Sequence, residues 1–372
     1  MIVTKETFVL KTPFALESGV VLPNVVIAFE QYGDLNAEKS NLILITHGIT
    51  GSSHAAGKYA ESNRSAGFWD DLIGPGKAFD TDLWCVVAPN VLGGCRGSTG
   101  PLSIDPSTNQ PYGPNFPEIT IRDMVFVQQR FVSECFDVVR VACVSGGSMG
   151  GFQALEWAAS LPDFVQSIIP VATAITPNPR AIAYNHCART AIQLDPSFAH
   201  GYYEQHGVYP DNGLALARMI GTISYLSEAS FQNMFHDGTS PLPSQDANGN
   251  HNFLVEGYLN DEGNKLVHRF DANTYLLISK ALDTHALDRN RGSLEQVFAS
   301  ISCPILALGF TSDSLFPIRQ TLEIAERAES AGNMNARAVC IDSDYGHDAF
   351  LVHQTLMSGP IRDFLTSVYA LL

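Results

Sequence analysis

The chain lacks several features that would place it elsewhere. It has no uninterrupted run of about 18 apolar residues, the length a membrane-crossing helix needs. Its first residues, MIVTKETFVLKTPFALESG, have neither the basic start nor the continuous apolar stretch of a secretory signal. These absences predict a cytoplasmic protein with no membrane partner. Cysteine is sparse, with seven in 372 residues, an odd number without a C-x-x-C pair. That suits reduced thiols and argues against a disulfide framework or a zinc site. Positive charge is scarce as well. Lys and Arg number 22 against 38 Asp and Glu, a formal net charge of −16. Such a balance argues against a nucleic-acid partner, though an anionic ligand needs only local cations. No internal repeat or low-complexity tract is present. The composition, 45% hydrophobic and 16% charged, is that of a globular chain with ample core.

The richest stretch is Val138–Ala159, VVRVACVSGGSMGGFQALEWAA. Val138–Val144 is apolar and mostly β-branched, as expected of a strand buried on both faces. Gly146-Gly147-Ser148-Met149-Gly150 matches G-x-S-x-G. From Phe152 onward, Leu155, Trp157 and Ala158 recur at helical spacing. Strand, glycine-crowded turn and helix together predict a nucleophile elbow around Ser148. A phosphate-binding turn is the plainer reading of the glycines alone. The flanking elements favour the serine.

Other short apolar runs read as buried strands: Leu42–Thr46, Trp84–Ala88, Ser167–Ala172, Cys303–Gly309 and Ala336–Ile341. Phe8–Leu10 and Val20–Tyr32 read as an antiparallel hairpin turning at Glu17–Gly19, at the sheet edge. Ile119–Glu134, Arg319–Glu329 and Ala349–Tyr369 read as helices. Buried strands alternating with helices predict an α/β fold, a mostly parallel sheet with helices on both faces. The alternation stops between about Ala174 and Ser300. Helical stretches at Arg180–Leu194, Gly213–Leu226 and Asn273–Ala281 and a polar loop at Asp237–Asn252 occupy that region. The predicted division is a core of residues 1–173 and 300–372, with a helical lid insertion at 174–299 over the carboxyl ends of the strands, where open α/β sheets bind ligands.

A serine hydroxyl needs a base, and the base needs an orienting acid. In an α/β-hydrolase the order along the chain is Ser, Asp or Glu, His. Asp313 follows the CPILALG strand and His347 follows the ARAVCI strand, so both fall at strand carboxyl ends. Alone, Asp313 is a turn former and His347 a helix-entry residue. Order and position together assign them to a triad with Ser148. The oxyanion donors are then the N–H groups of Met149, next to the nucleophile, and Ile49, in the loop after Leu42–Thr46. His47, in the same loop, reads as a structural histidine.

Several longer motifs add to this: HGITGSSHAAG (His47–Gly57), WDDLIGPGKAFD (Trp69–Asp80), NVLGGCRGSTGP (Asn90–Pro101), GGSMGGFQALEW (Gly146–Trp157), ARMIGTISYLS (Ala217–Ser227) and YGHDAFL (Tyr345–Leu351). With them the chain resembles the homoserine O-acetyltransferases of methionine biosynthesis over most of its length. The resemblance implies an α/β-hydrolase fold with a helical lid insertion, and Ser148, Asp313 and His347 as the triad. It implies Arg218, in the ARM motif, and Asp348 as ligands of the amino-acid substrate. It further implies acetyl-CoA as co-substrate with L-homoserine as acceptor, no cofactor or metal, and a homodimer through the lid helices. Gly48 and Ser52 depart from the family's usual alanine and aspartate, and Ala174–Arg189 matches loosely. The last two leave succinyl-CoA as donor and serine as acceptor as alternatives; G-x-S-x-G and the triad order, shared with esterases, leave a serine esterase of the same fold, and a non-enzymatic binding protein is a further one.

Overall fold

The computed structural model describes residues 1–235 and 253–370. The stretch Asp237–Asn252, read above as a polar loop, lies outside them. Eight strands form the main sheet: β1 (Glu6–Val9), β2 (Val26–Tyr32), β3 (Leu42–Thr46), β4 (Cys85–Pro89), β5 (Cys143–Gly147), β6 (Ile168–Val171), β7 (Ile305–Phe310) and β8 (Ala336–Ile341). Their spatial order is β1-β2-β4-β3-β5-β6-β7-β8. β2 runs antiparallel to β1 and β4, and the other pairs are parallel.

The central strands are buried along their whole length, which is why they read as continuous apolar runs. Successive side chains still alternate between faces. Leu42 and Leu44 join the core on one face of the sheet, Ile43 and Ile45 the core on the other. Helices α1 (Ile121–Phe136) and α2 (Met149–Ser160) pack on the first face. A capping box of Thr120 and Asp123 starts α1. Between β6 and β7 come α3 (Pro179–Leu194), α4 (Asp211–Tyr225), α5 (Glu228–Phe235), α6 (Leu254–Val267), α7 (Ala272–Asp283) and α8 (Leu294–Ser300). Among the described residues of this segment there is no strand. α4 packs against α3 and α6, and α3 against α7. The chain then returns to the sheet with α9 (Ile318–Ser330), α10 (Ala349–Val352) and α11 (Thr355–Tyr369). α11 covers the second face through Met357, Ile361, Phe364, Leu365 and Val368. No helix among the described residues is long and apolar enough to cross a membrane.

Three sequence expectations shift. The edge hairpin pairs β1 with β2, but the turn at Glu17–Gly19 closes a smaller ladder of Phe14–Ala15 with Val21–Leu22. The nucleophile strand begins at Cys143, not Val138, and extends through Gly147. Val138 is buried but Val139 is 81% exposed. Strand limits follow where β3 and β6 can pair, and those partners are Ile43–Thr46 and Ile168–Val171. The expected helix Ala349–Tyr369 is broken at His353 and Gln354. The break lets the Phe350 carbonyl accept the buried Trp69 indole N–H at 3.0 Å, which ties the WDD motif to the histidine loop.

Candidate active site

β5 ends at Gly147 and α2 begins at Met149, so Ser148 alone makes the turn. Its φ of 57° and ψ of −121° lie where a residue with a side chain rarely sits, and such strain persists only if the surroundings enforce it. They do. The Ser148 N–H donates to the Val171 carbonyl of β6 at 2.9 Å, and the Ser148 carbonyl accepts from Gly151 N–H at 2.9 Å. Thr46 of β3 explains two of the glycines. A Cβ at Gly146 would stand 2.1 Å from Thr46 Oγ1, and one at Gly150 2.3 Å from the Thr46 carbonyl. Bare backbone thus lets strand, turn and helix converge, and Ser148, 9% exposed, is presented to a cavity.

His347 and Asp313 arrive from the carboxyl ends of β8 and β7. The Ser148 hydroxyl lies 2.9 Å from His347 Nε2, and His347 Nδ1 lies 2.7 Å from Asp313 Oδ2. Asp313 Oδ1 accepts the N–H groups of Leu315 and Phe316, both at 2.8 Å. The carboxylate is therefore an acceptor on both oxygens. This places the imidazole proton on Nδ1 and leaves the Nε2 lone pair facing the serine. Burial alone would push the His347 pKa down. The charge and hydrogen bond of Asp313 outweigh it, and the pKa is raised above the ordinary 6.5. The rings of Phe316 and Phe350 meet the imidazole edge-on at 5.4 Å each. Gly346, at φ 85°, lies against the backbone of Tyr225 and Leu226, and Asp348 N–H donates to the Tyr225 carbonyl at 3.2 Å. The end of α4 and the histidine loop are one hydrogen-bonded unit.

The other expected donors fall close by. Met149 follows Ser148 at the start of α2, and Ile49 lines two cavities that also touch Ser148. Neither amide is bonded to an acceptor among the described residues. His47 is buried, with its Nδ1 bonded to the Gly48 carbonyl at 2.8 Å while Nε2 accepts Val91 N–H at 3.1 Å. Desolvation pulls its pKa down to about 4, so the ring is neutral and braces the loop as a donor on one side and an acceptor on the other.

The cavity at Ser148, about 490 Å³, carries Arg218, Asp348 and Tyr225 beside Ser148 and His347. Arg218 lies over the Tyr225 ring at 5.7 Å. Its Nη2 is salt-bridged at 2.8 Å to Glu262 of α6, a partner not anticipated from sequence. Desolvation raises the Asp348 carboxyl above its usual range, against the opposing pull of Arg218 and His347. Among the described residues no cluster of three or more His, Cys, Asp or Glu is arranged to hold a metal ion.

A family model for the alpha/beta hydrolase fold matches residues 41–354. A homoserine O-acetyltransferase of Deferribacter desulfuricans is 45% identical over 96% of this chain and 94% of its own. The chain belongs to the homoserine O-acetyltransferase family. The crystal structure of that enzyme from Bacillus anthracis superimposes with a TM-score of 0.89 at 30% identity, covering 98% of each chain. Esterase E22 is similar to the same degree, with a TM-score of 0.89 and 32% identity over 98% of this chain and 100% of that one.

The family's motifs lie where the site is braced. In NVLGGCRGSTGP, Ser98 Oγ donates to the Asn90 carbonyl at 2.7 Å and accepts Ala28 N–H at 3.0 Å. In WDD, Asp70 accepts Gly57 N–H at 2.6 Å. Glu262 escaped sequence reading because Gly257 and Gly263 interrupt the pattern of α6. The spacing of Asp261 and Glu262 to Lys265, which forms ion pairs at 2.7 and 2.9 Å, was the available signal of a helix there. Tyr225 and Arg96, in the family's motifs, also line the cavity at Ser148.

Proposed function

We propose that this protein transfers an acetyl group from acetyl-CoA to the side-chain hydroxyl of L-homoserine through an acetyl-Ser148 intermediate, a step of methionine biosynthesis. The observation that carries the proposal is the Asp313–His347–Ser148 relay opening into a cavity walled by Arg218 and Asp348. In this reading residues 1–173 and 300–372 are the catalytic core and 174–299 the lid. His347 Nε2 takes the hydroxyl proton as Ser148 Oγ attacks the thioester carbonyl. The Ile49 and Met149 amides hold the oxyanion, a contact worth about 3 kcal/mol each. The C–S bond breaks, and the imidazolium returns its proton to the departing thiolate. Homoserine then gives its hydroxyl proton to His347 and attacks the acetyl ester, which regenerates Ser148. Arg218 grips the acceptor carboxylate and Asp348 pairs with its ammonium.

A second, smaller cavity supports acetyl over succinyl. It measures about 20 Å³ and opens beside Ser148 between Ile49, Tyr184, Leu282, Leu315 and Phe316. That volume suits a group about the size of one water, such as a methyl. No Lys or Arg lines it, so a succinyl carboxylate would be buried there unpaired.

Purified protein offered acetyl-CoA or succinyl-CoA against homoserine, serine and water tests the proposal. O-Acetylhomoserine should dominate, with parallel double-reciprocal lines from the two half-reactions. Hydrolysis outrunning transfer would replace the proposal with the esterase reading. The homodimer through the lid helices belongs to the same proposal. Leu216 and Ile223 of α4 are 48% and 47% exposed, which supports it, and sedimentation velocity would measure it.

Two further outcomes are expected. Acetylation of Ser148 needs a neutral His347. Its rate should therefore fall as pH drops through the raised His347 pKa, with an inflection above 6.5 in single-turnover measurements. Arg218→Leu should slow the second half-reaction or raise the homoserine KM, on the order of 2–5 kcal/mol for a lost, partly buried carboxylate contact. Acetylation of Ser148 should stay near its wild-type rate. Equal damage to both half-reactions would mean that Arg218, through Glu262, serves the fold of the lid.

A further inference from the structure

The cavity wall reverses the charge balance of the chain. Overall, 22 Lys and Arg face 38 Asp and Glu. Among the described residues lining this cavity there are four arginines, Arg64, Arg96, Arg218 and Arg269, and one carboxylate, Asp348. Arg218 is paired with Glu262. Arg64, Arg96 and Arg269 have no carboxylate within salt-bridge distance among the described residues. They come from three separate stretches of chain and are all exposed at the mouth.

Two of them are held in place by backbone contacts. Arg269 Nη1 donates to the Thr50 carbonyl at 2.6 Å, and Arg96 Nη1 donates to the Arg269 carbonyl at 3.3 Å. Each contact uses one nitrogen and leaves other guanidinium N–H groups free to donate. The carboxylate of Glu30, bonded to the cavity residues Tyr59 and His54, is occupied. Glu30 accepts hydrogen bonds from Tyr32 and Tyr59, both at 2.6 Å, and lies 3.0 Å from His54 Nδ1. Enclosure in the mouth, and then the charges of Arg218 and Arg96, press the Arg269 pKa down to about 10. Arg64, Arg96 and Arg269, with no carboxylate in salt-bridge reach among the described residues, favour an anion beside them.

We propose that Arg64, Arg96 and Arg269 form a phosphate-binding rim that holds the phosphate groups of the acyl donor while its thioester reaches Ser148. The inference rests on the acetyl-CoA reading above. That donor separates its phosphates from its thioester by a long uncharged arm. In the cavity the three arginines are exposed and Ser148 is buried, so a donor can run from the outer wall inward to the nucleophile. An amino-acid acceptor brings one carboxylate, which Arg218 already serves, so the three rim arginines are surplus to it.

The test compares two donors, acetyl-CoA and S-acetylpantetheine, which lacks every phosphate. The readout is the second-order rate of Ser148 acetylation, followed by intact mass with no acceptor present. Wild type should prefer acetyl-CoA, and rising salt should erode that preference. In the triple variant Arg64→Gln, Arg96→Gln, Arg269→Gln the acetyl-CoA rate should fall at least about ten-fold for each charge-assisted bond lost. The S-acetylpantetheine rate should hold within about two-fold, because no phosphate contact is at stake. The corresponding triple Lys variant should recover much of the preference, since lysine binds phosphate as a point charge.

Equal loss with both donors would overturn the rim, showing that these arginines hold the loop of Ile49 and not the donor. An unchanged acetyl-CoA rate would overturn it too. Wild type that reacts with S-acetylpantetheine but shows no preference for acetyl-CoA would likewise remove it. Wild type that acetylates Ser148 from neither donor would instead sink the acyltransferase reading, and the rim with it.

Discussion

Ser148→Ala is expected to lower acetyl transfer by about 10⁶-fold, the scale on which loss of a serine nucleophile acts in such relays. The change is confined to one atom. Alanine keeps the Cβ, so the strained turn at φ 57° and its bonds to Val171 and Gly151 are untouched. Only the contact of Oγ with His347 Nε2 at 2.9 Å is lost. Thermal unfolding should shift by no more than about 1 kcal/mol, the net worth of one hydrogen bond. Wild type incubated with acetyl-CoA alone should gain one acetyl mass on the peptide holding Ser148, and the variant none. An active variant, or the acetyl mass on another residue, would remove Ser148 from the mechanism.

Asp313→Asn should cost about 10⁴-fold in rate, with the backbone essentially unmoved. The argument lies in the hydrogen bonds. Asp313 Oδ1 accepts two backbone N–H groups, from Leu315 and Phe316, and only an oxygen can take that place. The asparagine carbonyl is thereby fixed, and its NH2 must face His347 Nδ1. Two donors cannot share that contact, so the imidazole proton moves to Nε2 and the lone pair that should take the serine proton is gone. His347→Ala removes the base altogether and should be at least as damaging. A crystal structure of the asparagine variant, with single-turnover acetylation rates, would check both halves. A rate within ten-fold of wild type would show that tautomer control is not the work of Asp313.

Much of the site was legible because its parts carry local signatures. G-x-S-x-G between an apolar run and a helical one marks Ser148, since only that context turns the chain so sharply. Asp313 and His347 were legible by order, each just past a short apolar strand. Taken singly they read as a turn former and a helix-entry residue, and only order and position together point past that. Arg218 and Asp348 rested on motif resemblance alone. Glu262, which faces Arg218 across α4 and α6, was invisible, because nothing local to α6 signals what lies on a neighbouring helix. The limits of β5 were misplaced because apolar character says where a strand is buried, not where its neighbours pair with it.

By itself the sequence determined the fold class, a sheet buried on both faces by intervening helices, because hydrophobic period and turn residues are local properties. It determined the chain order of Ser148, Asp313 and His347, the last two each just past an apolar strand. Tertiary structure decided what distance along the chain cannot. It brought three strand ends together so that two contacts of 2.9 and 2.7 Å join residues 199 and 34 positions apart. It closed a small, largely apolar slot beside Ser148 from Ile49, Tyr184, Leu282, Leu315 and Phe316, side chains far apart in the chain. It also gathered Arg64, Arg96 and Arg269 from separate stretches onto one rim of an otherwise acidic molecule. Cavity volume and summed charge arise only where segments meet, so no stretch of the sequence contains them.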